Sequence, residues 1–177
     1  MTPEYSNAVL SAPGTLGGSF TATGVGTLTA DFCSNQGSVL QVNTSFCASG
    51  IARNYYRWTS PQASPQTYSI YVSYKLPSTF KGFYDDNTIK LTGLRDHATN
   101  STAALSVFRS TGSAVTQCGS TTTVTTSTSN WTTTSLTGNE TSCSFAASDV
   151  VLFKIDVTAQ SNANVYIENL EFRYTNK

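Results

Sequence analysis

The sequence predicts an all-β protein: a two-sheet antiparallel β-sandwich of jelly-roll type, spanning residues 1–177 as a single domain. Two observations lead there. Apolar residues recur with period two almost everywhere and nowhere with the helical period. The apolar runs are short and separated by Gly, Pro, Asn and Ser, as in a chain of about ten strands.

Taken in chain order, strands are expected near Tyr5–Leu10, Gly18–Thr23, Val39–Phe46 and Tyr55–Thr59. In the next strand Tyr68, Ile70, Val72, Tyr74 and Leu76 alternate without a break with Ser69, Tyr71, Ser73 and Lys75, the pattern of a half-buried antiparallel strand. Thr88–Leu91 and Ala104–Arg109 follow. The stretch Gln117–Ser135 is almost all Thr, Ser and small residues, with Val124 and Trp131 its main apolar members. It reads either as disorder or as a Thr-rich edge strand, and the flanking Cys118 and Cys143 favour the strand. Its end, Trp131–Leu136, is expected to be a strand in any case. Val151, Phe153, Ile155 and Val157 alternate with Leu152, Lys154, Asp156 and Thr158, giving one core face and one wet face.

The last strand, Val165–Tyr174, changes phase. Val165 and Ile167 share one parity, whereas Leu170, Phe172 and Tyr174 share the other, so an extra residue must enter near Glu168 and Asn169. A β-bulge is predicted there.

Composition narrows the function classes. Ser and Thr make up about three residues in ten, only 11% are charged, and the formal net charge is zero. Scattered Lys and Arg offer no basic face for phosphates or anionic lipid, which argues against a nucleic-acid partner. No apolar run is long enough for membrane insertion as a helix. Met1–Tyr5 lacks the basic and apolar regions of a secretory leader, which for an exported chain fits an excised module or a virion component released by lysis.

Four cysteines, Cys33, Cys47, Cys118 and Cys143, fall in two sequence-local pairs without a CxxC and far from the single His97. That spacing suits disulfides in an oxidising compartment better than zinc. Three connectivities are open; Cys33 with Cys47 and Cys118 with Cys143 is the most economical, and four buried free thiols are the alternative. The first pair flanks the turn Asn35-Gln36-Gly37 and reads as a hairpin staple. Four Asn-x-Ser/Thr sequons, at Asn43, Asn100, Asn130 and Asn139, are what a chain this rich in Ser and Thr produces by chance.

Catalytic constellations are weak. His97 beside Asp96 lacks a nucleophile elbow and reads as a polar loop. Asp85 and Asp86 are adjacent and point to opposite faces of any strand, unlike the facing carboxylates of a glycosidase. With Asn87 they suit a turn better than a cation site. No enzymatic activity is expected.

Aromatic residues are the better lead. Tyr56 and Trp58 share one face of their strand and Tyr55 takes the other, so one set belongs to the core. The other set, or the solvent-side Tyr71 and Tyr166, is available as a flat platform for sugar rings, with Trp131 a further candidate. Trp58 also fits the role of a sandwich-core tryptophan.

Two resemblances add to this. Val165-Tyr166-Ile167-Glu168-Asn169-Leu170-Glu171-Phe172 resembles the closing strand of galactose-binding-like jelly rolls, including many carbohydrate-binding modules. That likeness implies a structural calcium held by Glu4 and Glu168, although the family more often has Asp at both places; no other cofactor is expected. Over most of the chain, Pro3–Leu10, Asn54–Thr59, Tyr68–Ser78 and the closing strand are similar in order and spacing to an uncharacterised β-sandwich module of large surface proteins of candidate-phyla bacteria. It implies an extracellular or cell-surface module. Two functions are in view: adhesion or carbohydrate binding, with a glycan or surface receptor as partner, and a structural spacer, appendage subunit or phage virion fibre module in which copies self-assemble.

Overall fold

A computed structural model describes residues 5–11, 18–22, 25–33, 53–84, 89–124, 126–128, 130–136 and 142–176. Among them are twelve strands: β1 (Tyr5–Ser11), β2 (Gly18–Ala22), β3 (Gly26–Cys33), β4 (Arg53–Thr59), β5 (Gln66–Lys75), β6 (Phe80–Phe83), β7 (Ile89–Arg95), β8 (Ser101–Ser110), β9 (Val115–Val124), β10 (Thr132–Leu136), β11 (Val150–Ala159) and β12 (Asn164–Asn176). One sheet has eight strands in the order β10-β7-β12-β4-β3-β2, with β1 and β6 also paired to β12; the other has the order β5-β11-β8-β9. Every pairing is antiparallel. The fold is the two-sheet sandwich of jelly-roll type that the alternation predicts.

The predicted bulge is present. The register of β12 against β7 shifts between Ile167 and Asn169, which leaves Glu168 as the extra residue. Because of it, Val165 and Ile167 before the shift and Leu170, Phe172 and Tyr174 after it all enter the same core. The neighbour on one side of β12 also changes at this point: pairing with β4 stops at Ile167 and pairing with β1 starts at Asn169.

From the other sheet, Val151, Phe153, Ile155, Val157 and Ala159 of β11 are buried, as are Ala103, Leu105 and Val107 of β8. Trp58 fills one end of the core. Its indole Nε1 donates to the Gln66 carbonyl at 3.0 Å and its ring packs at 5.3 Å on Tyr68. The fit there requires Gly26, where a Cβ would lie 2.5 Å from the Thr59 carbonyl oxygen and 2.7 Å from the Trp58 ring. At the opposite end Phe80, Phe83, Phe145, Phe172, Tyr74 and Tyr174 form an aromatic cluster.

The sequence reading has no strand at β3 or β6. β3 opens on Gly26 and carries the small Ala30, and β6 is four residues long; both owe their strand state to neighbours, β3 to β2 and β4, β6 to β12. The expected strand Val39–Phe46, Cys47 and the Asn35-Gln36-Gly37 turn lie outside the described residues. The described residues of the Thr-rich stretch are divided between the sheets: β9 is the edge of one and β10 the edge of the other.

Cys118, fully buried on β9, is bonded to Cys143. The segment after Cys143 is fastened at several points. Phe145 packs against Phe83 at 5.2 Å, and Asp149 accepts from Arg109 Nε at 2.6 Å and from the Ala146 amide at 2.7 Å. The disulfide therefore ties an apolar-poor edge strand to a segment already anchored on both sheets.

Two expectations follow from these contacts. The Cys118→Ser/Cys143→Ser variant, which frees a loop of 25-residue separation, should lose about 3 kcal/mol and about 10 °C in Tm while staying folded, measured by calorimetry. The Tyr74 and Tyr174 hydroxyls lie 2.8 Å apart. That hydrogen bond first, with burial and the neighbouring charge adding, pushes Tyr74 from 10.0 up to about 12. The folded chain thus keeps a proton that the unfolded chain gives up, so this contribution is complete below about pH 10 and is lost as pH rises toward 12. Urea unfolding across that window should show a steeper loss for the wild type than for Tyr74→Phe.

Candidate functional site

The outer face of the four-stranded sheet is built by strand register. Tyr71 of β5 stands opposite Lys154 of β11, which stands opposite Ser106 of β8. One step along, Ser69, Asp156, Ala104 and Thr123 form a row across all four strands; on the other side Ser73, Leu152, Phe108 and Gln117 form the next. Residues of alternate parity from these strands fill the core, so this set faces outward.

Tyr71 is 69% exposed, the most open of the large apolar or aromatic side chains among the described residues. Its surroundings are ordered. Lys154 Nζ pairs with Asp156 Oδ2 at 2.9 Å, and Ser69 Oγ donates to Asp156 Oδ1 at 2.5 Å. The hydrogen bond to Asp156 raises the Lys154 pKa against the opposing effect of burial, with the charge of Asp156 and the Tyr71 phenol adding. Ser106 and Thr121 hydroxyls are bonded at 2.7 Å, and Gln117 Nε2 donates to Thr121 at 3.3 Å. Phe108 and Leu152 are half-buried between these polar groups. The face therefore offers one open aromatic ring, a flanking apolar strip, and hydroxyl, amide, ammonium and carboxylate groups fixed around it.

The other aromatic candidates lie elsewhere. Trp58 is 1% exposed and belongs to the core, so it has no surface to present. Tyr56 is half-buried on the same face, where burial raises its pKa. Tyr166 does point to the outer face of the large sheet, but it is only 2% exposed rather than solvent-side. The reason is a second apolar cluster on that face: Tyr166, Tyr55 and Leu94 are buried together, with the half-buried Trp131 packed against them. Trp131 lies 5.7 Å from Tyr55 and 6.3 Å from Tyr166 between ring centroids. Trp131 is thus a lid on an outer cluster as much as a presented ring.

The remaining candidates are accounted for in the same way. Glu168 is half-buried at the bulge, while Glu4 lies outside the described residues, as do Asp85, Asp86 and Asn87. Among the described residues no group of three His, Cys, Asp or Glu side chains is placed to hold a metal ion. Asp96 accepts from the Asn164 amide and side chain at 2.6 and 2.5 Å, and His97 Nδ1 accepts from the Thr99 and Asn100 amides at 3.2 and 3.1 Å. His97 organises the turn before β8, and Asp96 ties that turn to the start of β12. A cleft of about 120 Å³ at one end of the small sheet is lined by Pro65, Thr99, Asn100, Ser101, Thr102, Thr158 and Gln160, without a titratable group.

No protein-family model matches the chain, and no curated protein is similar to it by sequence. Solved structures are similar in strand arrangement. The carbohydrate-binding module TmCBM61 in complex with beta-1,4-galactotriose is 12% identical, with a TM-score of 0.48 over 94% of this chain and 88% of that one. A chain from work on carbohydrate-binding modules of the beta-sandwich superfamily is also 12% identical, with a TM-score of 0.46 over 93% of this chain and 54% of that one. The enzymatically active domain of tailspike protein 4 of bacteriophage CBA120 is 8% identical, with a TM-score of 0.40 over 97% of this chain and 19% of that one. This chain therefore spans about half of the second and a fifth of the third. Likenesses this remote assign neither a family nor a ligand.

Lys154, Asp156, Phe108 and Gln117 are the members of the face that sequence reading misses. Alternation does put Lys154 and Asp156 on the wet side of β11, but nothing local says that Tyr71 lies beside them. The two surfaces should separate in stability measurements: Trp131→Ala, which uncovers Tyr55 and Tyr166, should cost about 2 kcal/mol. Tyr71→Ala should stay within about 0.5 kcal/mol of wild type.

Proposed function

We propose that this chain is a non-catalytic extracellular module that binds carbohydrate on the outer face of its four-stranded sheet, with Tyr71 as the stacking ring. The observation that carries the reading is the wide exposure of Tyr71 midway along the edge strand of a sheet face that also carries bonded polar groups. An aromatic ring left in water on a strand gains nothing for folding, whereas its flat face suits the apolar C–H side of a sugar ring. Lys154, Asp156 and Ser69 supply donors and acceptors for the hydroxyls beside it, already held by their mutual bonds, and Gln117 on the far edge strand β9 is in reach only of a ligand that spans the sheet. The Lys154–Asp156 pair offsets its own charge, which suits an uncharged ligand. A disulfide between Cys118 and Cys143 fits an oxidising, extracellular or cell-surface setting.

A second reading, a rigid spacer or fibre module without a small ligand, draws on the hydroxyl-clad edge strands β9 and β10 and on how few large apolar side chains are open among the described residues: Tyr71, Tyr84 and Val115.

A glycan array followed by calorimetric titration of the best hit distinguishes them. The first reading expects binding that Tyr71→Ala weakens by about tenfold or more and that Tyr71→Phe preserves. Silence across the array overturns it and leaves the spacer; binding indifferent to Tyr71→Ala overturns Tyr71 as the stacking ring and places the glycan on another surface.

A further inference from the structure

The two edges of the four-stranded sheet are built differently. β9 is broken by a register shift opposite Ser106, with Gly119 at a φ of 69°, and is tied down by the Cys118–Cys143 bond. Such irregularity keeps an edge from pairing with another chain. β5 has none of these defences. Its register with β11 runs unbroken from Gln66–Ala159 to Lys75–Val150, it contains no proline, and its single charge is Lys75 at the very end. Among the described residues β11 is its only strand partner. Its core-facing residues are also incompletely covered: Tyr68, Ile70, Val72 and Tyr74 are all partly exposed, while Val151, Phe153, Ile155 and Val157 on the neighbouring strand are buried.

The sequence of this edge is nearly a palindrome. Tyr68-Ser69-Ile70-Tyr71-Val72-Ser73-Tyr74 reads the same in both directions except that Val answers Ile. A twofold axis brings an element against itself in reverse, so only a self-complementary strand matches well across it.

We propose that β5 pairs antiparallel with β5 of a second copy of this chain, centred on Tyr71, to make a symmetric dimer. In that register Tyr71 faces its own counterpart, Ile70 faces Val72, Ser69 faces Ser73 and Tyr68 faces Tyr74. Aromatic and β-branched cross-strand pairs of this kind are the favourable ones. The two Lys75 ammonium groups fall at opposite ends, each across from Thr67, and do not repel. The pairing also joins the outer faces of the two small sheets, with the Tyr71 rings on neighbouring strands about 5 Å apart at their Cβ atoms. It does not rest on the carbohydrate reading, but it draws on the same residue, Tyr71, and the Thr67 variants test it without touching that ring.

The test uses the full chain in sedimentation and light scattering over a dilution series up to the solubility limit. The wild type should pass from monomer to dimer. Thr67→Lys, which sets a lysine against each Lys75, should raise the dimer dissociation constant by roughly tenfold, and Thr67→Glu should lower it by a similar factor. Tyr71→Lys, which places two lysines face to face on the axis, should be monomeric throughout. Thr67 is exposed and remote from the core, so both of its variants report on association even if the Tyr71 variant misfolds. A wild type that stays monomeric, or a dimer that does not respond in opposite directions to the two Thr67 changes, overturns the proposal.

Discussion

The extra residue at Glu168 is the constraint on which the rest of the structure depends. β12 is bonded to β1, β4, β6 and β7, more neighbours than any other strand among the described residues. Without the bulge its two halves would present opposite parities to the core. Either Val165 and Ile167 or Leu170, Phe172 and Tyr174 would then be turned to solvent, at about 1.5–3 kcal/mol for each large side chain. One inserted residue lets both halves face inward, and at the same residue the strand exchanges β4 for β1 as its neighbour. The register of the large sheet on both sides of β12 follows from that choice.

The two outer faces of the sandwich are covered differently. Before the bulge, Tyr166 points outward and gathers Tyr55, Leu94 and Trp131 into a second apolar cluster, so the outer face of the large sheet is partly committed to stability. Among the described residues the small sheet has no such cover. Its β11 alternates without interruption, its inward side is closed against the core, and its outward side is left with Tyr71, Phe108 and Leu152 among ordered polar groups. Among the described residues, one outer face of the sandwich is thus spent on packing and the other is open. The small sheet's two edges divide in the same way: β9 is bulged and bonded to Cys143, whereas β5 is regular and self-complementary.

Much of this was legible in the residues. The unbroken alternations of β5 and β11 and the phase change in β12 are local patterns, and local patterns survive folding because side-chain direction in a strand is fixed by the backbone; the Cys118–Cys143 bond was one of three connectivities that the sequence left open. β3 and β6 were not legible, since Gly26, Ala30 and a four-residue run carry little pattern of their own and become strands by being paired. The Thr-rich stretch was half legible: its tendency to extend is local, but its division between two different sheets is not. The candidate face was the least legible part, since Tyr71 lies far in sequence from Lys154, Asp156, Phe108 and Gln117.

The sequence by itself determined the fold class, the parity of the long strands, the place of the bulge and the palindrome of β5, because each rests on the order of side chains along one strand. Only the tertiary structure decided which outward aromatic is left open and which is packed. Tyr71 and Tyr166 look alike in sequence, each with the outward parity of an alternating strand. Tyr166 is covered because Tyr55, Leu94 and Trp131, distant in the chain, arrive above it; Tyr71 is open because among the described residues none does. Burial depends on what other segments bring to a surface, and strand periodicity carries no record of that.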